Sequence, residues 1–459
     1  MNHIFQDFCQ SYAGRRVAFL GVGVSHIGII PAFIEAGAQV TVCDRAAQLS
    51  PKAAAALNGL PIEYRMGDGY LDRLTDFDLI FRSPGITPLE PGIRAAEQAG
   101  VRLTGEIELF FDLCPCRSIG ITGSDGKTTT STLISEMLRQ AGRTVHLGGN
   151  IGDPLLPRLP EMTASDIVVA ELSSFQLMTF KTSPTVAVIT NIHRNHLDYH
   201  RDMAEYIAAK KRILDCGATV CVLNADDPTV MEMGSAFAGE KRLFCMTHTV
   251  ENGAFLRDGA LWLADGGRTE KIIDTADIKL PGFHNIMNAA TAIAAVRGLA
   301  APDDMRRVLA GFGGVKHRIQ LVRELDGVRY YNDSIGTTPS RTVMCLRAFP
   351  AKKQIVIAGG SDKGMDFTEL SADMCRSVRV LILIGATAGK IEAAVRGYEG
   401  YNGSPVILHA GSLEEAVLLA REQARPGESV ALSPASASFD QFRNYGERGD
   451  RFAALVNAL

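Results

Sequence analysis

Residues 117–138 read RSIGITGSDGKTTTSTLISEML, and this stretch decides the fold. An apolar run leads into a glycine-containing loop, GSDG, and then directly into a helical pattern. Backbone N–H groups of such a loop bind phosphates, the lysine meets the outer phosphates, and the next hydroxyl ligates Mg²⁺. The pattern predicts these roles for Lys127 and Thr128, although Ile121 stands where the strict spacing has glycine. The alternative is a solvated glycine-rich turn.

Outward from this stretch, short apolar runs alternate with glycine-containing turns and helical patterns. The runs predicted as strands read RRVAFLGVG (15–23), QVTVCD (39–44), DLIFRSPG (78–85), IVVAEL (167–172), TVAVITN (185–191), ATVCVLN (218–224), KQIVIAGG (353–360), VRVLILIG (378–385) and SVALSP (429–434). The predicted helices include SHIGIIPAFIEAG (25–37), which Gly37 ends, HNIMNAATAIAAVRGL (284–299) and SLEEAVLLAREQA (412–424). Because this alternation builds parallel sheets covered by helices, the sequence predicts an α/β protein.

The chain of 459 residues is longer than one hydrophobic core serves, since a domain takes about 100–200 residues. A fresh strand, loop and helix follow position 105, and a glycine-rich segment, GFGGVKHR, occupies 311–318. We therefore predict three domains, at 1–105, 106–314 and 315–459.

Composition and charge indicate a globular cytoplasmic protein. Hydrophobic residues make up 46% of the chain, and the formal net charge of −4 gives no basic footprint for nucleic acid. The nine cysteines are scattered, as in reduced proteins, and Cys114 and Cys116 have no second ligand pair nearby for zinc. The first residues, MNHIFQDFCQ, have neither the basic nor the apolar segment of a signal peptide, and no apolar run reaches the ~20 residues that a membrane span requires, so we expect a protein that stays in the cytoplasm.

A second glycine-containing turn, GVGVSHIG at 21–28, follows the first strand, and Asp44 ends the next strand. The arrangement resembles a dinucleotide fingerprint, but Gly28 comes one residue late for the usual third glycine. The turn still marks a helix N-terminus suited to a diphosphate, so it predicts a nucleotide-bearing ligand. The alternatives are a plain structural turn and a nicotinamide-dependent dehydrogenase.

Polar side chains follow two further strands near the phosphate loop. Glu171 ends one apolar strand, and His193, His196, Asp198 and His200 cluster after the next. Carboxylate, imidazole and hydroxyl groups at the carboxyl ends of parallel strands favour binding of a divalent cation. No cysteine lies among these residues, and the nearby Asp, Glu and Thr side chains favour Mg²⁺. A zinc site built from the three histidines, or plain surface histidines, are the alternatives.

An ordered set of motifs resembles the Mur ligase family. The motifs are GITGSDGKTTT (120–130), GNIG (149–152), ELSSFQL (171–177), NIHRNHLD (191–198), AAKKRIL (208–214), HNIMNA (284–289), HR (317–318), NDS (332–334) and LSPASASFDQFRNYGERG (432–449). Singly most of these strings are weak, but their order over nearly the whole chain is specific. The last motif is similar to that of the D-glutamate-adding members of the family.

The resemblance implies an N-terminal Rossmann-like domain for a UDP-sugar, a central P-loop ATPase-type domain, and a C-terminal Rossmann-like α/β domain for the amino acid. The implied reaction is ATP-dependent addition of D-glutamate to UDP-N-acetylmuramoyl-L-alanine through an acyl phosphate, in peptidoglycan precursor synthesis. Domain closure would assemble the catalytic residues and exclude water. The implied cofactors are two Mg²⁺ ions and a CO₂-derived carbamate on a lysine, and a monomer is expected.

The resemblance also assigns roles to single residues. The catalytic residues would be Lys127, His196 and Lys210, and the metal ligands Thr128, Glu171, His196 and carbamylated Lys210. ATP would contact Gly123, Ser124, Asp125, Gly126, Lys127, Thr128, Thr129, Asn285, Asn288, Arg318 and Asp333. The UDP-substrate would contact Val24, Ser25, Asp44, Arg45, Ser83, Gly85, Asn150 and His196, and D-glutamate would contact Thr337, Lys363, Ser438, Phe439 and Tyr445.

From the residues alone, Lys210 and Lys211 are equal candidates for the modified lysine. An unmodified lysine has only donors and would repel a cation, and adjacent helical residues point in different directions, so only one of the two faces the site. The chain departs from the family pattern at Ile335, where lysine is better known, and at Tyr445, where phenylalanine is usual. The remaining alternatives are a nucleotide-switch protein, a folylpolyglutamate synthase and a sister Mur ligase.

Overall fold

A computed structural model describes residues 3–197, 199–280, 282–349 and 353–459. The chain divides into two compact units: unit 1 is Met1–Asp277 with Ile286–Ala310, and unit 2 is Ile278–Asn285 with Gly311–Leu459. Within the described residues the strands form three sheets, each built mainly or wholly from parallel pairs. The predicted α/β class is confirmed.

The first sheet lies at the start of unit 1. Its region contains α1 Ile4–Gln10, β1 Arg16–Leu20, α2 Val24–Ile27, α3 Ile30–Glu35, β2 Gln39–Asp44, α4 Pro51–Leu57, β3 Ile62–Met66, a 3₁₀ turn at Leu74–Asp76, β4 Leu79–Arg82, α5 Pro91–Gln98, β5 Arg102–Thr104 and α6 Glu106–Leu113. The strand order is β3-β2-β1-β4-β5, and all neighbours are parallel. Strand order reverses between β1 and β4, where open α/β sheets bind ligands.

The helix predicted over 25–37 is wrong as a single element. The structure has α2 and α3 instead, interrupted at Gly28 and Ile29. Pro31 lies in the first turn of α3, where its missing N–H is harmless, but inside a longer helix its ring would clash with the preceding turn. The predicted end is correct, since Gly37 follows α3 with a φ of +85°.

The second sheet also belongs to unit 1. Its elements are β6 Arg117–Thr122, α7 Lys127–Gln140, β7 Val145–Gly149, a 3₁₀ helix at Leu156–Glu161, β8 Ile167–Glu171, α8 Ser174–Leu177, β9 Val186–Ile189, α9 Met203–Asp215, β10 Val220–Asn224, α10 Pro228–Met233, β11 Glu240–Cys245, β12 Gly253–Arg257, β13 Ala260–Asp265, β14 Arg268–Asp274, a 3₁₀ turn at Thr275–Asp277, α11 Phe283–Val296 and α12 Pro302–Gly311.

Strand β6 lies between β8 and β9 in the order β14-β13-β12-β11-β10-β9-β6-β8-β7. The pairs from β7 to β12 are parallel, and β12, β13 and β14 form antiparallel hairpins. Because parallel strands end at one edge of the sheet, the loop after β6, the end of β8 and the segment after β9 meet there.

The third sheet forms unit 2. Its elements are β15 Gln320–Leu325, β16 Val328–Asn332, α13 Pro339–Arg347, β17 Gln354–Gly359, α14 Thr368–Ser377, β18 Val378–Ile384, α15 Ala388–Arg396, β19 Val406–His409, α16 Leu413–Gln423, β20 Ser429–Leu432 and α17 Tyr445–Ala458. The order is β15-β16-β20-β17-β18-β19, and only the β15–β16 pair is antiparallel among the described strands.

The central strands of each sheet, such as β1, β6 and β17, are buried on both faces, as their apolar sequences predict. In β17, Ile355 and Ile357 pack into one apolar cluster, and the alternating Val356 and Ala358 pack into another on the opposite face. Among the described helices, none combines the length and apolar character that a membrane span requires.

Arg82 joins the first and second sheets inside unit 1. Its buried guanidinium donates hydrogen bonds to the Ile86 carbonyl at 2.6 Å and to the Phe175 carbonyl, beyond β8, at 3.0 Å. Tyr199 donates to the Pro84 carbonyl at 2.9 Å. The turn after β4 is therefore held against the second sheet by side chains from both sides.

We expect Arg82→Met to lower the free energy of unfolding of unit 1 by about 2–4 kcal/mol, because buried carbonyls lose their donors. The chain's single tryptophan, Trp262, lies in unit 1, so its fluorescence during urea unfolding measures this loss. Arg16→Met, at an exposed arginine of β1, is the matched control and should change stability by less than about 0.5 kcal/mol. Equal effects of the two variants would contradict the assigned role of Arg82.

Candidate active site

The predicted phosphate loop connects β6 to α7. Lys127 is the first residue of α7, and its ammonium folds back to donate to the carbonyls of Gly123 at 3.0 Å and Ser124 at 2.9 Å. Gly126 has a φ of +80°, and a Cβ there would lie 2.3 Å from the Asn288 amide oxygen. Glycine is therefore required where the loop enters the helix, and Asn288 lies directly against it.

Two residues after β9, which the motif analysis did not single out, hold the loop in shape. Thr190 donates to the Asp125 carbonyl at 2.6 Å, and the Asn191 side-chain oxygen accepts from the Asp125 N–H at 2.9 Å. Their position at the end of the strand next to β6 is the signal that identifies them. The loop is thus braced by the neighbouring strand before any ligand binds.

Thr128, Glu171 and Asn150 form one hydrogen-bonded group beside the loop. The Thr128 hydroxyl donates to Glu171 Oε2 at 2.7 Å, and the Asn150 amide donates to Glu171 Oε1 at 2.8 Å. The Glu171 side chain is buried. The hydroxyl and carboxylate oxygens are hard ligands of the kind that Mg²⁺ prefers, so this pair fits the predicted metal. Thr129 follows in the first turn of α7 and is partly buried.

Lys210 and Lys211 occupy different environments on α9. Lys210 is buried, 1% exposed, and donates to the Thr122 hydroxyl at 3.1 Å and to the Gly123 carbonyl at 2.9 Å. Lys211 instead forms an ion pair with Asp215 at 2.5 Å on the partly exposed side of the helix. The Lys210 amine therefore contacts the backbone at the start of the phosphate loop, whereas the Lys211 ammonium pairs with a carboxylate of the same helix.

Burial, together with the nearby charge of Lys127, holds the pKa of the Lys210 amine well below its usual value. Its Nζ also lies 4.8 Å from the centre of the Tyr206 ring. Tyr206 in turn shares a 2.9 Å hydrogen bond with the Ser124 hydroxyl of the loop. The site contains an amine that is readily deprotonated, and a neutral amine is a nucleophile.

The three clustered histidines have three different neighbourhoods. His193 contacts Asp125 at 2.8 Å, and His200 is buried against the Ser174 hydroxyl at 2.9 Å. His196 is exposed, has a φ of +54° and lies with its ring 4.9 Å from that of Phe175. In the part of the chain that the structure describes, these histidines do not form a shared group of metal ligands. Asp198 lies outside the described residues.

The residues expected to bind the UDP part lie at one edge of the first sheet. A Cβ on Gly21 would lie 3.0 Å from that of Ser83, so the turns after β1 and β4 are in contact. Asp44 accepts from the Val22 N–H at 3.0 Å and so joins the end of β2 to the same edge. Val24, Ser25, Arg45 and Gly85 are exposed or partly buried there. The structure brings these six residues to one edge, whereas Asn150 and His196 of the same predicted set contact Glu171 and Phe175 beside the second sheet.

In unit 2, Asp333 follows β16 and is buried. It accepts from the Ser433 hydroxyl at 2.8 Å and from the Ile319 N–H at 3.3 Å. Burial raises the pKa of the Asp333 carboxyl to about 7. Arg318 lies between two residues with positive φ, His317 and Ile319, and is partly buried. Asn285 precedes Asn288 by one turn of α11.

Three of the residues expected to bind D-glutamate lie together in unit 2. The Lys363 ammonium is 5.1 Å from the centre of the exposed Phe439 ring, and Ser438 is buried beside it in sequence. The Phe439 N–H donates to the Ser361 hydroxyl at 3.0 Å, which ties this segment to the end of β17. Thr337 lies in the segment after β16.

Arg448 organises this region, although the motif analysis gave it no role. Its guanidinium is 1% exposed and donates to the Ser334 carbonyl at 2.9 Å, the Ser436 carbonyl at 3.1 Å and the Ala437 carbonyl at 3.2 Å. Ser334 also donates to the carbonyl of Tyr445, the first residue of α17, at 2.7 Å. Burial lowers the pKa of Arg448 to about 10. The arginine thus joins the segments that carry Ser438 and Tyr445.

Three family models match the chain in order. They are a Mur ligase MurD-like N-terminal domain over residues 15–105, the Mur ligase middle domain over 121–296, and the Mur ligase glutamate ligase domain over 317–436. A relative from Acetivibrio thermocellus, named UDP-N-acetylmuramoylalanine–D-glutamate ligase, is 44% identical over the full length of both chains. A relative of the same name from Symbiobacterium thermophilum is 46% identical and covers 97% of this chain and 98% of its own.

Solved structures resemble the fold. The UDP-N-acetylmuramate–alanine ligase of Thermotoga maritima aligns with a TM-score of 0.55 and 18% identity over 97% of this chain and 99% of its own. A pseudomurein peptide ligase type C from Methanothermus fervidus aligns with a TM-score of 0.53 and 19% identity over the same shares. At these identities the likeness concerns the fold alone.

The raised pKa of Asp333 predicts a pH dependence for unit 2. Between about pH 4 and pH 7 the unfolded carboxyl loses its proton while the folded one keeps it, so wild-type stability falls as pH rises through this window. Asp333→Asn removes this fall. Over the window the variant should gain on the order of 3 kcal/mol relative to wild type.

The measurement is urea unfolding at each pH, followed by brief deuterium labelling at one fixed pH and detection in the β16 and β20 amides. Asp326→Asn, at an exposed aspartate of unit 2, is the control and should follow the wild-type profile. Parallel profiles for Asp333→Asn and wild type would show that the buried carboxyl does not titrate in this range.

Proposed function

The chain belongs to the Mur ligase family, and we propose that it joins D-glutamate to UDP-N-acetylmuramoyl-L-alanine, with ATP converted to ADP and phosphate. The observation that carries the proposal is the braced phosphate loop with the Thr128–Glu171 pair beside it, in a chain that aligns end to end with D-glutamate ligases. A dehydrogenase has no use for such a loop.

The reaction needs an activated carboxylate, because a carboxylate oxygen is a poor leaving group and its charge repels nucleophiles. A carboxylate oxygen of the L-alanine residue attacks the γ-phosphorus of ATP, and ADP leaves. The neutral amine of D-glutamate then attacks the acyl carbon of this mixed anhydride. Collapse of the tetrahedral adduct expels phosphate, which carries one oxygen of the original carboxylate, and the nitrogen loses a proton to give the amide.

Lys127 counters the repulsion between the carboxylate and the triphosphate. In the structure its ammonium donates hydrogen bonds to the Gly123 and Ser124 carbonyls. When ATP binds in the loop, the ammonium donates to the outer phosphates instead. Gly123, Ser124, Asp125, Gly126 and Thr129 supply the backbone around the phosphates, and Asn288 with Asn285 is assigned to adenine. Arg318 and Asp333 are assigned to the γ-phosphate and the ribose.

Two Mg²⁺ ions belong to the proposal, held by Thr128, Glu171, His196 and modified Lys210. The short Thr128–Glu171 contact and the hard oxygen donors support the first of these sites. When bound, the ions neutralise charge on the phosphates and on the carboxylate that joins them.

The proposal places a carbamate on Lys210 and not on Lys211. Reaction with CO₂ requires a neutral amine, and burial favours the neutral form of Lys210. The product is an anion facing the same loop as Lys127, whereas the Lys211 ammonium is already paired with Asp215. The modification therefore places an anion, instead of an amine, opposite the Lys127 ammonium.

The substrates are assigned to the ends of the three sheets. Val24, Ser25, Asp44, Arg45, Ser83 and Gly85 are assigned to the UDP part, with Asn150 and His196 toward the sugar and its peptide. Thr337, Lys363, Ser438, Phe439 and Tyr445 are assigned to D-glutamate. The exposed Lys363 ammonium supports the choice of an acidic amino acid, because a carboxylate accepts charge-assisted hydrogen bonds from it.

The domain bounds 1–105, 106–314 and 315–459 are part of the proposal, as are a monomer and a cytoplasmic location. Support for the monomer is that this chain supplies every assigned residue. Support for the location is that the described cysteines form no disulfide; Cys114 and Cys116 have their sulfurs 3.8 Å apart and remain thiols.

The function predicts a specific amino-acid requirement. Purified protein with ATP, Mg²⁺ and UDP-N-acetylmuramoyl-L-alanine should release phosphate with D-glutamate at least about tenfold faster than with L-glutamate, glycine, L-alanine or meso-diaminopimelate. Phosphate detection and mass spectrometry of the UDP product provide the measurement. Phosphate release with D-glutamate no faster than the blank without amino acid would refute the proposed substrate.

The assignment of the carbamate predicts a difference between adjacent lysines. Lys210→Ala should lose at least about a hundredfold in turnover, and formate or acetate should restore part of it by supplying an anion in the vacated space. Lys211→Ala is the matched control and should keep most of its activity without added anion. Loss of activity in Lys211→Ala alone, or failure of every small carboxylate to rescue Lys210→Ala, would argue against this carbamate.

A further inference from the structure

A group of metal-ligating side chains lies in the second sheet, away from the strands that carry the phosphate loop. Asp226 follows β10, and Cys245 ends the neighbouring strand β11, with His248 three residues later. Within the described residues, this is the one group in which three histidine, cysteine or acidic side chains bring their ligand atoms within 4.8 Å of one another. The function proposed above makes no use of it.

The atoms of this group surround a common centre. Cys245 Sγ lies 3.2 Å from Asp226 Oδ1 and 3.1 Å from His248 Nδ1. Thr247 Oγ1 closes the ring, 2.5 Å from Asp226 Oδ1 and 3.1 Å from His248 Nδ1. The Cys245 side chain is fully buried, Asp226 is partly buried, and His248 is exposed. A bound ion would thus be shielded from water on the side of Cys245 and exposed to solvent on the side of His248.

Two-centre hydrogen bonds do not account for all of these contacts. The ring has four close contacts, but Thr247, Cys245 and the His248 ring can place at most three protons between them. The backbone N–H of His248 also donates to Cys245 Sγ at 3.4 Å, so the sulfur is an acceptor as well as a neighbour of the Asp226 and His248 side chains. One cation at the centre, facing a thiolate, a carboxylate and a neutral imidazole, resolves the shortage.

We propose that Asp226, Cys245 and His248 bind one zinc ion. Sulfur, nitrogen and oxygen donors together suit a borderline-soft cation and not Mg²⁺, and the ligand atoms of Asp226, Cys245 and His248 lie within 4.8 Å of one another. Tetrahedral zinc sets sulfur and nitrogen or oxygen donors about 3.5 Å apart, so the ring opens by only a few tenths of an ångström. Water completes the four ligands.

The surrounding residues orient the ligands as zinc sites require. Thr247 keeps its hydrogen bond to Asp226, and the Met246 N–H donates to the second Asp226 oxygen at 2.6 Å. Cys245 lies in an apolar cluster against which Trp262 packs. Zinc therefore fastens the segment after β11 to the end of β10, and the tryptophan is a natural reporter of that event.

The test uses the full-length protein, reduced, stripped of metal by a chelator, and kept in excess Mg²⁺ to fill the hard oxygen sites. Cobalt is the probe, because cobalt bound to a thiolate has a charge-transfer absorption in the near ultraviolet. We expect one equivalent of Co²⁺ to produce this band and one equivalent of Zn²⁺ to abolish it. Zn²⁺ should also raise the urea midpoint reported by Trp262 fluorescence.

Variants decide whether the band belongs to this group. Cys245→Ser should abolish the band, and His248→Ala and Asp226→Asn should weaken Co²⁺ binding at least about tenfold. His248 is exposed, so its variant tests the site even if replacing the buried cysteine prevents folding. Cys114→Ser removes a thiol of the Cys114–Cys116 pair and should leave the band intact.

Three results would overturn the proposal: absence of the band in the wild-type protein, its persistence in Cys245→Ser, or its loss in Cys114→Ser. A band that His248→Ala leaves at full affinity would likewise exclude the imidazole. Each readout is independent of ligase activity, so failure of the zinc site and failure of the proposed reaction are distinguishable.

Discussion

The proposed active site is built around two lysines that share one carbonyl oxygen. Lys127 and Lys210 both donate to the Gly123 carbonyl, at 3.0 and 2.9 Å, from helices α7 and α9. Two ammonium groups in so small a space repel each other, and burial together with the charge of Lys127 lowers the pKa of the Lys210 amine well below its usual value. A neutral amine beneath a phosphate loop is the condition for the proposed carbamate. In the proposed reaction, burial that disfavours the Lys210 cation is also what favours formation of the carbamate anion.

The parallel sheets turn this local chemistry into a site. Strand β6 lies between β8 and β9, so Glu171 and Thr190 flank the phosphate loop from opposite sides. In the first sheet, the turns after β1 and β4 likewise meet at the carboxyl edge, where the strand order reverses. In the third sheet, Asp333 and Ser433 follow the adjacent strands β16 and β20 and are hydrogen-bonded to each other. Each sheet thus gathers residues far apart in sequence at its carboxyl edge.

Much of this arrangement was predictable because buried parallel strands are nearly continuous apolar runs. The helix at 25–37 was mispredicted because its apolar spacing continues across Pro31, which the fold uses to begin α3. The residues alone did not distinguish Lys210 from Lys211; the resemblance supplied the choice of Lys210, and the structure shows that Lys210 is the buried one. The roles of Arg82 and Arg448 were not predicted for a related reason. Arginine side chains are usually exposed, and only the structure shows the carbonyl groups that accept hydrogen bonds from these two buried guanidinium groups.

The Asp226, Cys245 and His248 group escaped sequence analysis for a topological reason. Its aspartate and cysteine are nineteen positions apart and meet because β10 and β11 are neighbours. The two metal sites proposed for the second sheet also differ in chemistry, and this difference keeps them separate. Oxygen donors beside the phosphate loop select a hard cation that remains partly hydrated, whereas a thiolate and an imidazole select zinc. Zinc binds most ligand sets more tightly than Mg²⁺, so a site with sulfur would hold trace zinc without needing to exclude the abundant ion. The site beside the phosphate loop has no thiolate, so the group that contains Cys245 is the stronger competitor for trace zinc.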